Sequence, residues 1–209
     1  MDYDALFDKY LNFSDGFFIE AGANNGVDQS NTIRLEQSFG WKGLLVEPNP
    51  HKFNECVRNR PNSICENFAL VSSNYPSDTI QGDFAHTDTG NSLMGLVSDP
   101  GDFFDDELLY YKEQRKRDCE ILSVPAISIS DLLRKHNITN IDFFSLDVEG
   151  YEISVLNGLD FNSHRPKYFL IETTTYQHRI DAVMNYMTTK KYKMVDRVSI
   201  NDILYEDVI

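Results

Sequence analysis

Short apolar runs that end on an acid recur along this chain, and most are followed by a stretch with helical periodicity. Phe17-Phe18-Ile19 runs into Glu20, Leu44-Leu45-Val46 into Glu47, Phe143-Phe144-Ser145-Leu146 into Asp147, and Phe169-Leu170-Ile171 into Glu172. Runs that stay apolar, instead of alternating with polar residues, suit strands covered on both faces. Strand candidates fall at 16–21, 43–47, 64–71, 141–147 and 168–172. Helix candidates lie at 4–11, 30–39, 51–59, 130–136, 151–156 and 178–189, with Ser128 or Ser130 as a cap for the fourth. This alternation predicts an α/β fold with a mostly parallel sheet and helices on both faces. Segments 192–198 and 202–206 have no helix between them, only a few residues around Ser199-Ile200-Asn201, and so predict an antiparallel hairpin.

Ligands of open parallel sheets bind outside the carboxyl ends of the strands. Glu20, Glu47, Asp147 and Glu172 all fall at such ends. Strands disfavour acids, so this placement points to a shared crevice. The first strand runs into Ala21-Gly22-Ala23-Asn24-Asn25-Gly26, where the glycines permit positive φ or close backbone approach. An ordinary strand followed by a Gly/Asn turn would look the same. The turn lacks the third glycine of the dinucleotide fingerprint, which disfavours a nicotinamide oxidoreductase. Glu47, 21 residues beyond Gly26, can accept hydrogen bonds from both ribose hydroxyls of a nucleoside, or can cap the helix after Pro48. A turn without a pyrophosphate cradle, but with an acid just upstream, better suits a cationic ligand carrying an amino-acid tail. S-adenosylmethionine is such a ligand.

The 209 residues suffice for a single domain, 1–209. A net charge of −14 argues against nucleic-acid backbone binding. No apolar stretch approaches the roughly 20 residues that span a bilayer. The start of the chain lacks the charged and apolar regions of a signal peptide. Cys56, Cys65 and Cys119 have no metal-ligand spacing and read as thiols of a reducing, cytoplasmic compartment. Residues 72–120 break the strand–helix rhythm and read as an insertion contributing to acceptor binding. Within it, 103–117 has helical periodicity and ends in the basic run 112–117, read either as a solvated helix end or as a lid or anion contact. The aromatics Phe84, Phe103, Phe104, Tyr110 and Tyr111 could stack on a sugar or fill a core.

Four patterns together resemble the FkbM-type methyltransferases: E-x-G-x-x-x-G at 20–26, V-E-P-N at 46–49, N-x-A-L at 67–70, and L-D-V-E-G-x-E at 146–152. The resemblance covers about residues 14–175 and rests most on the second and fourth patterns. It implies a Rossmann-like class I methyltransferase sheet with the final strands antiparallel. It also implies S-adenosylmethionine as cofactor and a hydroxyl of a sugar, glycolipid or natural product as acceptor. Carried over, Glu20, Gly22, Ala23, Asn24 and Gly26 surround the methionine part, and Glu47 holds the ribose. Pro48 and Asn49 lie beside the adenine, and Asn67, Phe68 and Ala69 near its edge. Asp147 closes the site near the reacting hydroxyl, and 91–93 lies in a variable, acceptor-contacting region.

Methyl transfer to oxygen needs alignment of the acceptor and removal of its proton. Asp147 is the leading base, with binding of the methionine amino group as its other role. Glu172 and His178 are the further catalytic candidates, and His86 could swing in from the insertion. Asp147, Glu149 and Glu172 could instead hold a divalent cation, or Glu149 could orient the helix after it. The expectation is a sugar or glycan O-methyltransferase. A natural-product O-methyltransferase and a non-catalytic adenosine-ligand module are the alternatives.

Overall fold

The computed structural model describes residues 3–85, 96–97, 119–173 and 176–209. Helix α1 spans Tyr3–Tyr10, β1 Phe17–Ala21, α2 Ile33–Phe39, β2 Lys42–Val46 and α3 Pro50–Asn59. Strands β3 (Ile64–Glu66), β4 (Ala69–Val71), β5 (Thr79–Ala85), β6 (Leu96–Val97) and β7 (Cys119–Ser128) follow. Then come α4 Ile129–Lys135, β8 Phe143–Leu146, α5 Glu152–Asn157, β9 Tyr168–Glu172, α6 Gln177–Thr189, β10 Tyr192–Arg197 and β11 Asp202–Asp207. The helix expected at 103–117, the segment 91–93 and His86 lie outside the described residues.

Seven strands form the main sheet in the order β10-β11-β9-β8-β1-β2-β3. β1 pairs in parallel with β2 and β8, β8 with β9, and β2 with β3, while β11 runs antiparallel between β9 and β10. This is the expected mostly parallel sheet with its antiparallel final strand. The period of two sorts the side chains. Phe18, Leu45, Phe143, Leu170 and Leu204 face the apolar residues of α1, α2 and α3. Ile19, Leu44, Val46, Phe144, Leu146, Phe169 and Ile171 face those of α4, α5 and α6.

One expectation is corrected. The single strand expected over 64–71 is two. β3 joins the main sheet, whereas β4 pairs with β7 in a second sheet of order β4-β7-β5-β6. The break falls at Asn67, whose side-chain amide donates to the carbonyls of Glu47 and Pro48 at 2.8 and 2.9 Å. The described part of the region 72–120 has strand structure of its own. β5 and β7 pair antiparallel from Thr79↔Pro125 to Ala85↔Cys119, and Ile80, Phe84 and Val124 enter the same core as Phe144 and Phe169.

Candidate functional site

Parallel register brings the candidate residues to one edge. Ala21 lies opposite Val46 on one side and Leu146 on the other, and Leu146 lies opposite Ile171. The next residues are Gly22, Glu47, Asp147 and Glu172, and Asp202 pairs with Glu172. At this edge opens a cleft of about 750 Å³ lined by Gly22, Asn24, Glu47, Asp147 and Glu149, with Phe68, Phe84 and Tyr151 among its apolar walls.

The turn after β1 is built for close approach. Gly22 has φ +83°, and a Cβ there would lie 1.8 Å from the carbonyl oxygen of Asp147. Its N–H donates to the Val46 carbonyl at 3.0 Å, fastening the turn to β2. Asn24 adopts φ +49° and Glu149, across the cleft, φ +56°. Left-handed backbone outside glycine is uncommon and collects at functional sites. Here two such residues line one cleft.

Glu47 is 8% exposed, and each carboxylate oxygen takes one backbone N–H: Asn24 N to Oε2 and Asn49 N to Oε1, both at 2.8 Å. Burial pushes its carboxyl up to about 7, against the lowering effect of those two bonds and of Lys52. The Asn49 side chain accepts from His51 N and caps α3, so Glu47 is not the cap. Pro48, Asn49, Phe68 and Ala69 line the same end of the cleft.

Asp147, half-buried, has its carboxyl held well above the ordinary range by burial first, then by the charge of Glu172 and a hydrogen bond to it. Glu149 and Glu152 push it the same way. Glu152 is buried, accepts from Gly150 N at 2.8 Å, and is itself raised by burial to about 7. Arg179 donates to the Gly150 carbonyl at 2.8 Å, so the 148–152 loop is held from below.

Three of the expected cofactor residues do not line the cleft: Glu20, Ala23 and Gly26. Glu20 sits one residue before the edge, and the period of two places it with Phe18 beneath α2. There it is 4% exposed and accepts from Ser30 Oγ at 2.9 Å, Asn31 N at 2.7 Å and Thr32 Oγ1 at 2.6 Å. Ala23 packs into the core, and its N–H donates to Val46 O at 3.2 Å. Gly26 gives its carbonyl to Arg60 at 3.0 Å. His178 is exposed at the start of α6, its ring 5.7 Å from that of Tyr176, and is not among the cleft residues.

Among the described residues no group of three His, Cys, Asp or Glu side chains is arranged to hold a metal ion, so the grouping of Asp147, Glu149 and Glu172 as cation ligands gains no support. Residues that sequence reasoning did not place in the site include Lys52, Val148 and Tyr151. Lys52 stands in the first turn of α3, three residues after the capping Asn49, a spacing that can be read from sequence. Phe84, read only as a stacking or core aromatic, reaches the cleft through the pairing of β5 with β7, which no local pattern signals.

No curated protein matches the chain significantly in sequence. A methyltransferase FkbM from Methylobacillus flagellatus superposes with a TM-score of 0.56 at 14% identity, over 99% of this chain. The chain spans 48% of that protein's length. A precorrin-6y C5,15-methyltransferase from Geobacter metallireducens gives a TM-score of 0.49 at 7% identity, over 98% of this chain and 87% of that one. A methyltransferase from Pyrococcus furiosus gives 0.47 at 13%, over 99% and 82%. The methyltransferase FkbM domain matches residues 20–194. That span is most of the chain, and the chain belongs to the FkbM methyltransferase family.

Proposed function

We propose that the cleft binds S-adenosylmethionine and that the chain directs its methyl group to a hydroxyl of a sugar or glycan. The observation that carries this reading is the Glu47 carboxylate, buried at the end of β2 and joined by the Asn24 N–H to the turn after β1. Each of its oxygens keeps a lone pair beyond its one backbone bond, as two ribose hydroxyls would need. The residues fit the cofactor in two further respects. Asn24 Oδ1 is buried with no hydrogen-bond partner among the described residues and can accept from an ammonium. Gly22, having no side chain, lets the Asp147 carbonyl close against the turn, which draws the two walls of the cleft together.

Bound there, the cofactor supplies an electrophilic methyl on a sulfonium. Glu47 orients the ribose, while Pro48, Asn49, Phe68 and Ala69 enclose the base. Glu20, Ala23 and Gly26 contribute by shaping the turn. Asp147 and Glu172 act as a pair. Asp147, when ionised, takes the proton of the attacking hydroxyl, and Glu172 beside it raises the affinity of the Asp147 carboxylate for that proton. A carboxylate whose proton affinity is raised accepts that proton more readily than an ordinary one. Phe84, in the described part of the 72–120 region, stands on the acceptor side. The free thiols Cys56 and Cys65 suit a reducing cytoplasm.

Calorimetry with S-adenosylhomocysteine and NAD, followed by labelled-methyl transfer to a panel of deoxysugar glycosides, tests the reading. Binding of S-adenosylhomocysteine alone and labelling of a sugar acceptor are expected. Binding of NAD but not S-adenosylhomocysteine refutes the cofactor, and labelling of non-sugar hydroxyls alone refutes the acceptor class. Asp147→Asn, which keeps the shape but removes the charge, is expected to lower turnover at least 100-fold with S-adenosylhomocysteine still bound. Near-normal turnover excludes Asp147 as the base.

A further inference from the structure

Arg60 takes no part in the cleft, yet it is 1% exposed and every part of its guanidinium is engaged. It caps the end of α3. Nε donates to Glu36 Oε2 at 2.8 Å, Nη1 to the Gly26 carbonyl at 3.0 Å and to Ser30 Oγ at 3.1 Å, and Nη2 to Thr32 Oγ1 at 3.1 Å. Glu20 Oε2 lies 3.6 Å from Nη1, and the guanidinium carbon stands 5.3 Å from the centre of the Phe18 ring. Glu36 is further held by Ser63 Oγ at 2.5 Å.

These contacts join the end of β1 through Glu20, the last carbonyl of the glycine turn, the entry to α2 at Ser30 and Thr32, and the end of α3. The turn also rests on the arginine's stem. A Cβ on Gly26 would lie 2.7 Å from Arg60 Cγ, so glycine there lets the backbone sit directly on the side chain. At the other side of the same turn, Asn24 N–H meets Glu47, and Asn24 Oδ1 is buried without a partner among the described residues. Arg60 therefore braces from beneath the segment whose upper side forms the cleft.

We propose that Arg60 is a positioning residue that fixes the Gly22–Gly26 turn and thereby sets the affinity of the cleft for S-adenosylmethionine. The inference rests on the cofactor reading above. A planar guanidinium can hold the Gly26 carbonyl, Thr32 and Glu36 at once because its donors diverge in a fixed fork. An ammonium has three donors converging on one point and cannot span them.

Wild-type titration with S-adenosylhomocysteine by calorimetry comes first. Absence of binding there refutes the cofactor reading and leaves no affinity for Arg60 to set. With wild-type binding in hand, Arg60→Lys is expected to weaken Kd about tenfold at unchanged stoichiometry. Hydrogen exchange in the cofactor-free protein should accelerate at residues 22–27 and not in β8 or β9. A purely structural role would instead lower the melting temperature or the active fraction while leaving Kd unchanged, and that result overturns the proposal. Should Arg60→Lys fail to fold, Thr32→Val carries the same test, removing the hydroxyl that links Arg60 to Glu20 and leaving Arg60 in place. It is expected to weaken Kd several-fold, and a wild-type Kd with wild-type exchange at 22–27 overturns the proposal equally.

Discussion

Glu47 and Gly22 show how single side chains, or the lack of one, make the cleft. Glu47 lies in a site that penalises its charge, with its carboxyl raised to about 7. A cofactor whose hydroxyls donate to the carboxylate needs it ionised, so binding must strengthen as pH rises through that value. The affinity for S-adenosylhomocysteine is expected to rise about tenfold between pH 6 and 8. Proton release should be visible at pH 6 as a dependence of the binding heat on buffer ionisation, and a pH-independent Kd would remove Glu47 as the ribose ligand. Glu47→Gln keeps the shape, loses the charge, and is expected to weaken binding by about 2 kcal/mol, as for other charge-assisted bonds, with the pH dependence flattened. Gly22→Ala should abolish binding and lower stability. Its φ of +83° disfavours any side chain, and the contact with the Asp147 carbonyl is backbone, which cannot swing aside.

At the scale of elements, most boundaries follow from local chemistry, and the exceptions have identifiable causes. The expected helix at 30–39 begins at Ile33 because Ser30 turns its hydroxyl to Glu20 and accepts from the N–H groups of Thr32 and Ile33. A buried acid on another element thus claims the residues that would have made the first turn. Asn67 likewise ends β3 by crossing to the carbonyls after β2. Neither partner can be seen from the local sequence. By contrast α4 forms as its residues dictate, with Ser128 Oγ accepting from Asp131 N at 3.1 Å and donating to the Asp131 carboxylate. Ser128→Ala is expected to cost about 1 kcal/mol, seen as a fall of roughly 2–4 °C in melting temperature. The cleft should be untouched, and unchanged melting would mean that the cap contributes nothing.

The whole molecule carries carboxylates whose folded values are displaced in both directions. Glu47 and Glu152 are raised by burial from 4.5 to about 7, and Glu20 and Asp147 are raised as well. A raised acid binds protons in the fold that it has lost in the unfolded chain, so stability falls as pH climbs from the unfolded value through the folded one. Asp131, paired with Arg134 and Ser128, and Asp207, held by Arg165, are lowered. Their contribution is lost as pH falls through the ordinary carboxylate range. The cofactor-free protein should therefore melt highest near pH 4–5 and lose stability as the pH climbs to about 7. S-adenosylhomocysteine should restore the alkaline side by favouring ionised Glu47. A melting temperature that rises steadily from pH 5 to 8 without ligand would contradict the burial of these acids.

Sequence by itself determined the layered architecture and the edge at which the cleft opens. The register of a parallel sheet brings strand ends together, and the strands announced themselves by apolar runs ending on acids. Tertiary structure alone decided which of those acids reach the cleft. Glu20 and Glu47 look equivalent in sequence, but Glu20 falls one residue before the edge and turns beneath α2 to meet Arg60, while Glu47 stands beyond the edge and faces the cleft. Tertiary structure also decided that residues beyond Val71 return as strands, setting Phe84 in the cleft wall. The reason is the same in each case. A strand's period and a helix's cap are local, whereas the direction of a buried charge and the partner of a strand are fixed by residues tens of positions away.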